Sequence, residues 1–317
     1  MSHWSPTASI ATLEVRAKML RSIREYFAAT RALEVETPTL SSAAVSDVHL
    51  ASVHAKANGE SRYLITSPEY AMKRLLAAGC GDIWQISRVY RDGEVGRWHN
   101  PEFTMIEWYR IGMDHHSLMS DVERLINAAL PSSKQFDRAE RVTYREAVQL
   151  HAGVDALEDP TAVLVARLES ADIEVPRDLH ADRDACLDLI MSTLVGPQLG
   201  QDRLTFIYDY PASQAALARI RGPVASRFEA YLNGIELANG FHELANASEQ
   251  RARFEADLTQ RGKRGLPEQP IDEHFLAALT KGLPDCSGVA VGFDRLVMCA
   301  VDAKHIQDVL TFPFDRA

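Results

Sequence analysis

The sequence predicts an α+β fold with a helical insertion, and three stretches carry that expectation. From Trp84 to Arg110 the order is alternating run, polar loop, alternating run, dense in aromatics, arginines and carboxylates. A second pair of alternating runs meets at Asn233-Gly234, a dipeptide suited to a tight hairpin turn. Between the pairs, residues 112 to 205 read as short amphipathic helices near 117–130, 143–151, 161–171 and 182–194, joined by turns rich in Pro, Ser and Asp.

At 317 residues the chain can hold one large domain or two ordinary ones. Its composition, 46% hydrophobic and 25% charged, is that of a soluble globular protein, and no apolar run is long enough to span a membrane. The opening MSHWSPTAS lacks the basic and apolar parts of a secretory signal. A net charge of −10 and a pI near 5.6 disfavour a nucleic-acid backbone as the main partner. Cys80, Cys186, Cys286 and Cys299 form no CxxC pair and read as free thiols of a reducing cytoplasm. No GxxxxGK[ST] loop is present, and no GxGxxG follows a strand. His242-Glu243 begins like HExxH, but Asn246 replaces the second histidine, which removes a zinc protease.

In chain order, Met19, Leu20, Ile23, Tyr26 and Phe27 mark a helix from Thr12 to about Thr30, with Thr12 as N-cap. Leu33 to Pro38 is a short extended segment, placed at a sheet edge because Pro38 has no amide proton. Helix and edge could form a subunit contact or cover their own core; periodicity leaves both open. Residues 41 to 62 read as irregular and Tyr63–Thr66 as a strand. Ser67-Pro68-Glu69 opens a helix as N-cap, N1 proline and first-turn acid, and that helix stops at Gly79. Glu69 either complements the helix dipole, worth about 0.3–1 kcal/mol, or stands at the strand-to-helix junction to hold an amine. The first is the plainer reading.

On the central pair, Gln85, Ser87, Val89 and Arg91 share one face, as do Phe103, Met105, Glu107 and Tyr109. Thus an arginine, a carboxylate, a phenol and a phenyl ring can line one concave sheet face. The loop from Asp92 to Pro101 is too long and too charged to be a packing turn, which marks a candidate site. His115-His116 is not read as a site, because adjacent residues do not share a helix face.

Strand character returns at Leu204–Tyr208, and Pro211–Gln214 reads as a strand-to-helix corner. In the hairpin Phe228–Leu232 and Ile235–Glu243, Glu236 and Glu243 would fall on opposite faces of a perfect strand. A bulge near Asn239-Gly240 would bring them to one face. Two carboxylates without an evident basic partner suggest magnesium carried by a phosphate substrate; the alternative is a solvated strand face. Residues 248 to 264 read as an exposed helix with a solvated charge run, and Ile271–Leu279 as another helix. Finally, Pro284 to Met298 is a small-residue strand bending at Gly292 into a helix with Asp294-Arg295 in its first turn. An arginine there opposes the dipole unless it meets an anion such as a nucleotide phosphate.

Together these pieces resemble the class II aminoacyl-tRNA synthetase catalytic domain, in its lysine-type branch. Leu33–Pro38 looks like the first class motif, Arg88–Arg91 through Phe103–Glu107 the second, and Gly288–Arg295 the third. TSPEYAMKRLL, RWHNPEFTMIEWY and IELANGFHEL are long ordered matches. The resemblance implies a class II aminoacyl-tRNA synthetase-like antiparallel sheet flanked by helices, one catalytic domain over 1–317, and a homodimer through the first motif. Two departures separate the chain from lysyl-tRNA synthetases. Those proteins carry an N-terminal anticodon-binding barrel, whereas here the first helix begins close to Met1, and Ala290 stands where they usually have glycine. With HNPEFTMIEWYR and GIELANGFHEL, these departures make the chain similar to the elongation factor P–(R)-β-lysine ligase family. Its members are truncated synthetase relatives that attach β-lysine to a lysine side chain of elongation factor P. A cytoplasmic enzyme using ATP and Mg2+, with tRNA an unlikely partner, is what the resemblance implies.

It also implies residue roles. Arg91 and Arg295 would act catalytically on the ATP phosphates, with Phe103 stacked on adenine. Asn100, the Asp92-Gly93 backbone and Leu237 would complete the nucleotide site, Gly292 would let the nucleotide approach, and Glu236 and Glu243 would hold magnesium. Ser67, Pro68 and Glu69 would take the amine near the substrate carboxylate. Glu107, Tyr109 and Glu243 would take the distal amine, with Asn239 and Ala290 in the same pocket. Gly93 stands where relatives often have an acid that reads adenine, so Glu94 is the candidate replacement. The rivals are a lysine-activating enzyme that charges tRNA or another small acceptor, and a non-catalytic paralogue. The second is disfavoured because Arg91, Glu236, Glu243 and Arg295 are all present.

Overall fold

A computed structural model describes residues 4–317; the first three residues of the stretch read for a signal lie outside it. Helix α1 (Ile10–Ala29) is capped by Ser9, whose hydroxyl accepts the Thr12 amide, so the cap is three residues earlier than the expected Thr12. Strand β1 (Leu33–Glu34) follows at a sheet edge, as Pro38 required. The reading of 41–62 as irregular is corrected: β2 (Leu40–Ser41), β3 (His54–Ala57) and β4 (Glu60–Leu64) form a separate three-stranded sheet. Asn58 and Gly59, both at positive φ, close the two-residue β3–β4 turn. Both strands are polar and half-exposed, so no hydrophobic alternation flanked that turn signal. The strand expected at Tyr63–Thr66 accordingly ends at Leu64.

Helix α2 (Glu69–Ala77) leads into the central pair, β5 (Ile83–Tyr90) and β6 (Glu102–Ile111), whose register places Gln85 opposite Glu107 and Val89 opposite Phe103. Helix α3 (His115–Ala129) buries Leu118, Met119, Val122, Leu125 and Ile126 in the same core as α1, so it is not part of the insertion. The expected divergence of His115 and His116 also fails. Both rings turn toward the neighbouring strand, to Asp209 and Tyr208 respectively, and their centroids lie 4.1 Å apart. Strand β7 (Glu140–Thr143) extends the main sheet, leaving α4 (Tyr144–Ala152), α5 (Thr161–Glu169) and α6 (Arg183–Ile190) as the insertion, with a core of its own around Tyr144, Leu164 and Leu187.

The rest of the sheet comes from β8 (Thr205–Pro211), β9 (Ile220–Arg221), β10 (Val224–Leu232) and β11 (Ile235–His242). After α7 (Ala247–Lys263) and α8 (Glu273–Gly282), strand β12 (Cys286–Gly292) enters the middle of that sheet and passes into α9 (Phe293–Val301). The order is β1-β5-β6-β12-β11-β10-β8-β7 with β9 beside β10, antiparallel except for the two outermost pairs. One face packs on α1, α3 and α9, around Phe27, Trp84, Trp108, Phe228 and Val291. The other is walled at one end by α2, α7 and α8 through Met72, Phe254 and Phe275. The charge run of α7 is not wholly solvated: Arg261 is buried and donates to the carbonyls of Asp47 and Leu50.

Candidate active site

Cross-strand pairing assembles the walled face row by row. Glu107, Ala290, Asn239 and Glu229 stand opposite one another across β6, β12, β11 and β10. The next row is Tyr109, Gly288, Phe241 and Arg227. Between Ala230 and Tyr231 the register slips so that Ala230 faces Ala238 and Tyr231 faces Glu236. The bulge therefore sits at Leu237 rather than near Asn239-Gly240. Leu237 and Ala238 both enter the core, which returns Glu236 to the face of Asn239 and Glu243.

One end of this face is a carboxylate cluster around a cavity of about 940 Å3, lined by Ser67, Pro68, Glu69, Glu107, Glu243 and Ala290 among others. Ser67 is used at both ends: its hydroxyl accepts the Glu69 amide and donates to Glu107 Oε2 at 2.6 Å. Tyr109 donates to Glu107 Oε1 at 2.7 Å. Burial, with Glu69 nearby, pushes the Glu107 carboxyl up to about 8 against these two donors. Burial likewise lifts Glu243 to about 7, opposed by Lys73. Lys73, in α2, is wholly buried and lies 2.6 Å from Glu69 Oε1 and 2.5 Å from Glu243 Oε2. Both contacts are close ion pairs, and that to Glu69 is also a hydrogen bond. Ser67, Glu69, Glu107, Tyr109, Asn239, Glu243 and Ala290 thus line one cavity, and Lys73 is buried beside them. Glu69, left open between dipole and amine, does hold an amine within the chain itself.

The other end of the face is open and cationic. Arg295, in the first turn of α9, donates to the carbonyls of Trp98 and Glu236 and sits 2.6 Å from His99 Nε2. Its neighbour Asp294 turns back into the structure, accepting from Arg16 and the Thr104 amide. Arg91 carries its guanidinium 5.1 Å over the Phe103 ring, and its Nε has no partner. Glu94, the candidate reader of adenine, lies 3.6 Å from Arg91. Asn100 is tied into the structure: its side-chain amide donates to the Glu102 carbonyl and accepts from the Phe314 amide. A Cβ at Gly292 would meet nothing closer than 3.7 Å, so the protein's own packing does not demand that glycine.

The two acids of the expected magnesium pair have different surroundings. Glu243 has a basic partner in Lys73 and belongs to the amine end, while Glu236 faces Arg295 at 3.7 Å on the other side of the bulge. Seven residues of strand separate the two, roughly 20 Å. The acid that acts on Glu236 is Glu229, from the row beside it. Burial and Glu229 raise the Glu236 carboxyl, against Arg295 and Arg91. The signal that could have found Glu229 is the hairpin itself: with the turn at Asn233-Gly234, alternation on β10 puts Glu229 and Tyr231 on the Glu236 face. Among the described residues, no group of three or more His, Cys, Asp or Glu side chains could hold a metal.

A family profile described as "tRNA synthetases class II (D, K and N)" matches residues 3–316. The chain belongs to this family. Among curated relatives, a Vibrio cholerae protein named "elongation factor P–(R)-beta-lysine ligase" is 51% identical over 100% of this chain and 99% of its own length. Proteins of the same name from Photobacterium profundum and Salmonella arizonae are 50% and 48% identical, each over 99% of this chain and 99% and 98% of their own lengths. The three stretches that resembled class motifs occupy the first edge strand, the β5–β6 pair and the β12–α9 corner.

Proposed function

We propose that this chain is an ATP-dependent ligase that activates (R)-β-lysine as an aminoacyl-adenylate and transfers it to a lysine side chain of elongation factor P. Substrate and acceptor come from the names of its relatives. The observation that carries the reading is the polarity of one sheet face: three carboxylates converge at one end, and Arg91 and Arg295 stand at the other. A diamino acid needs acceptors for two ammonium groups, and Glu69, Glu107 and Glu243 supply them. Its carboxylate then points toward the arginines, where ATP phosphates would be neutralised.

In the first step a substrate carboxylate oxygen attacks the α-phosphorus, forming a C–O–P anhydride and releasing pyrophosphate. In the second, a neutral acceptor amine attacks the activated carbonyl, forming an amide with loss of AMP and a proton. No enzyme nucleophile is required; positioning and charge neutralisation carry both steps. Both Glu229 oxygens are engaged by Arg227 and Tyr231. Magnesium would be held by Glu236 with the substrate phosphates, since this ion takes one or two carboxylates plus phosphates rather than an all-protein cage. When bound it would neutralise developing phosphate charge. The exposed Leu33 and Leu40 on the β1–β2 edge support a homodimer through that edge, and the overall acidity supports a protein rather than a tRNA acceptor. We place the protein in the cytoplasm and treat residues 1–317 as one catalytic unit.

The test is ATP–pyrophosphate exchange with α- and β-lysine, followed by mass analysis of elongation factor P. Exchange that favours β-lysine, with a matching mass increase on the partner's lysine, is expected. Label appearing on tRNA would overturn the acceptor, and no exchange with either lysine would overturn the reaction.

A further inference from the structure

Lys73 is the one buried charge of the amine end without a part in the chemistry above. It projects from α2, with no exposed surface, into a space bounded by four other elements. Glu69 meets it from its own helix, Glu243 from the end of β11, Glu107 from β6, and Cys286 from β12. The Phe275 ring of α8 closes the remaining side at 5.7 Å, and Arg219 lies beyond Glu243, donating to its carbonyl. An apolar side chain would pack at such a place without the cost of burying an ammonium. The lysine therefore calls for a reason other than packing.

We propose that Lys73 is a positioning and specificity residue of the pocket: its resident ammonium orders Glu69 and Glu243 and leaves a charge deficit that only a substrate with two ammonium groups completes. Three carboxylates face one lysine, so the fully ionised pocket carries two negative charges. A diamine neutralises both; a monoamine leaves one buried and unmatched. The proton balance follows. Burial already drives Glu107 and Glu243 to bind protons near neutral pH, and Lys73 acts against that on both carboxylates. Substrate ammonium groups displace those protons to solvent, and Lys73 sets how readily the carboxylates ionise to receive them. The idea rests on the lysine-activating reading of the site, and its test separates the two.

The experiment compares the wild type with Lys73→Met and Lys73→Arg in lysine-dependent ATP–pyrophosphate exchange from pH 6 to 9, after far-UV circular dichroism has verified folding. In Lys73→Met, kcat/KM for lysine should fall about tenfold at neutral pH and its acid limb should move up by about one pH unit, with KM for ATP unchanged. Lys73→Arg should keep the limb near its wild-type position. A loss that is uniform across pH, with the limb unmoved, would mean Lys73 is merely structural and would overturn the proposal. If Lys73→Met does not fold, calorimetry on the wild type decides. Titration with lysine at pH 7.5 in two buffers of different ionisation enthalpy should show net proton release, and none would sink the idea. A wild type with no lysine-dependent exchange would instead count against the functional reading itself.

Discussion

Between the Tyr109 ring and Glu243 Oε1 there is no room for a methyl group at position 288: a Cβ built there would overlap the ring and lie 2.6 Å from the carboxylate oxygen. Gly288→Ala should therefore displace two amine-end groups at once. An overpacking cost of about 1–3 kcal/mol, if felt in substrate binding, corresponds to a loss of roughly 5- to 150-fold in kcat/KM for lysine. Exchange kinetics check this, and an unchanged value would show that Tyr109 can step aside. Two residues along, Ala290 stands between Glu107 and Asn239 and lines the cavity. Moving an amine by one carbon changes what must fit there. Ala290→Gly should shift the preference toward α-lysine by about tenfold, the scale of one methyl-sized contact. Unchanged discrimination between the two lysines in adenylate formation would refute it.

Among elements, α2 and α7 do the most to shape the cavity. The α2 entry is built by Ser67, whose hydroxyl ties the helix start to Glu107 on β6, so the strand-to-helix corner and the substrate acid move as one. From the opposite wall, Arg261 of α7 donates to the carbonyls of Asp47 and Leu50, while Ser46 donates to Asp257 of the same helix. The segment so held, between β2 and β3, lines the cavity. Arg261→Met removes charged hydrogen bonds to two carbonyls and should cost about 1.5–3 kcal/mol of stability. It should also raise KM for lysine while kcat changes little, because the chemistry lies on the sheet. Urea unfolding read beside steady-state exchange checks both parts, and a lowered kcat with unchanged KM would contradict the assignment.

For the whole molecule, the amine end links protonation to folding. Glu107, near 8, and Glu243, near 7, bind protons more tightly folded than unfolded, where a glutamate titrates at about 4.3. The folded state thus holds more protons between those values, and the stability due to these groups falls as pH rises from about 5 to 8. Lysine binding runs the other way, strengthening as the carboxylates ionise. Denaturant titrations of the ligand-free protein should show that Glu107→Gln flattens part of this decline relative to the wild type. An equal slope in both proteins would mean that Glu107 is already ionised at pH 5. Because bound lysine holds the same carboxylates ionised, as they are in the unfolded chain, saturating lysine should bring the wild-type slope toward zero.

What the sequence by itself determined is whatever depends on neighbours along the chain. Alternation placed Glu107 and Tyr109 on one face of β6, Asn233-Gly234 dictated the β10–β11 hairpin, and Ser67-Pro68-Glu69 marked the start of α2. Long ordered segments such as IELANGFHEL then indicated the family. What only the tertiary structure decided is which distant side chains meet. A β-strand repeats every two residues, so a single bulge changes every later assignment, and its place at Leu237 follows from pairing with β10. That brought Glu236 under the charge of Glu229 on the neighbouring strand. Likewise Lys73 reads in sequence as one more helix-surface lysine, four residues from a glutamate; its burial against Glu243 comes from the packing of α2 on α8 and β12. Charge pairs across the interior are settled by desolvation and proximity, and neither is written in local sequence.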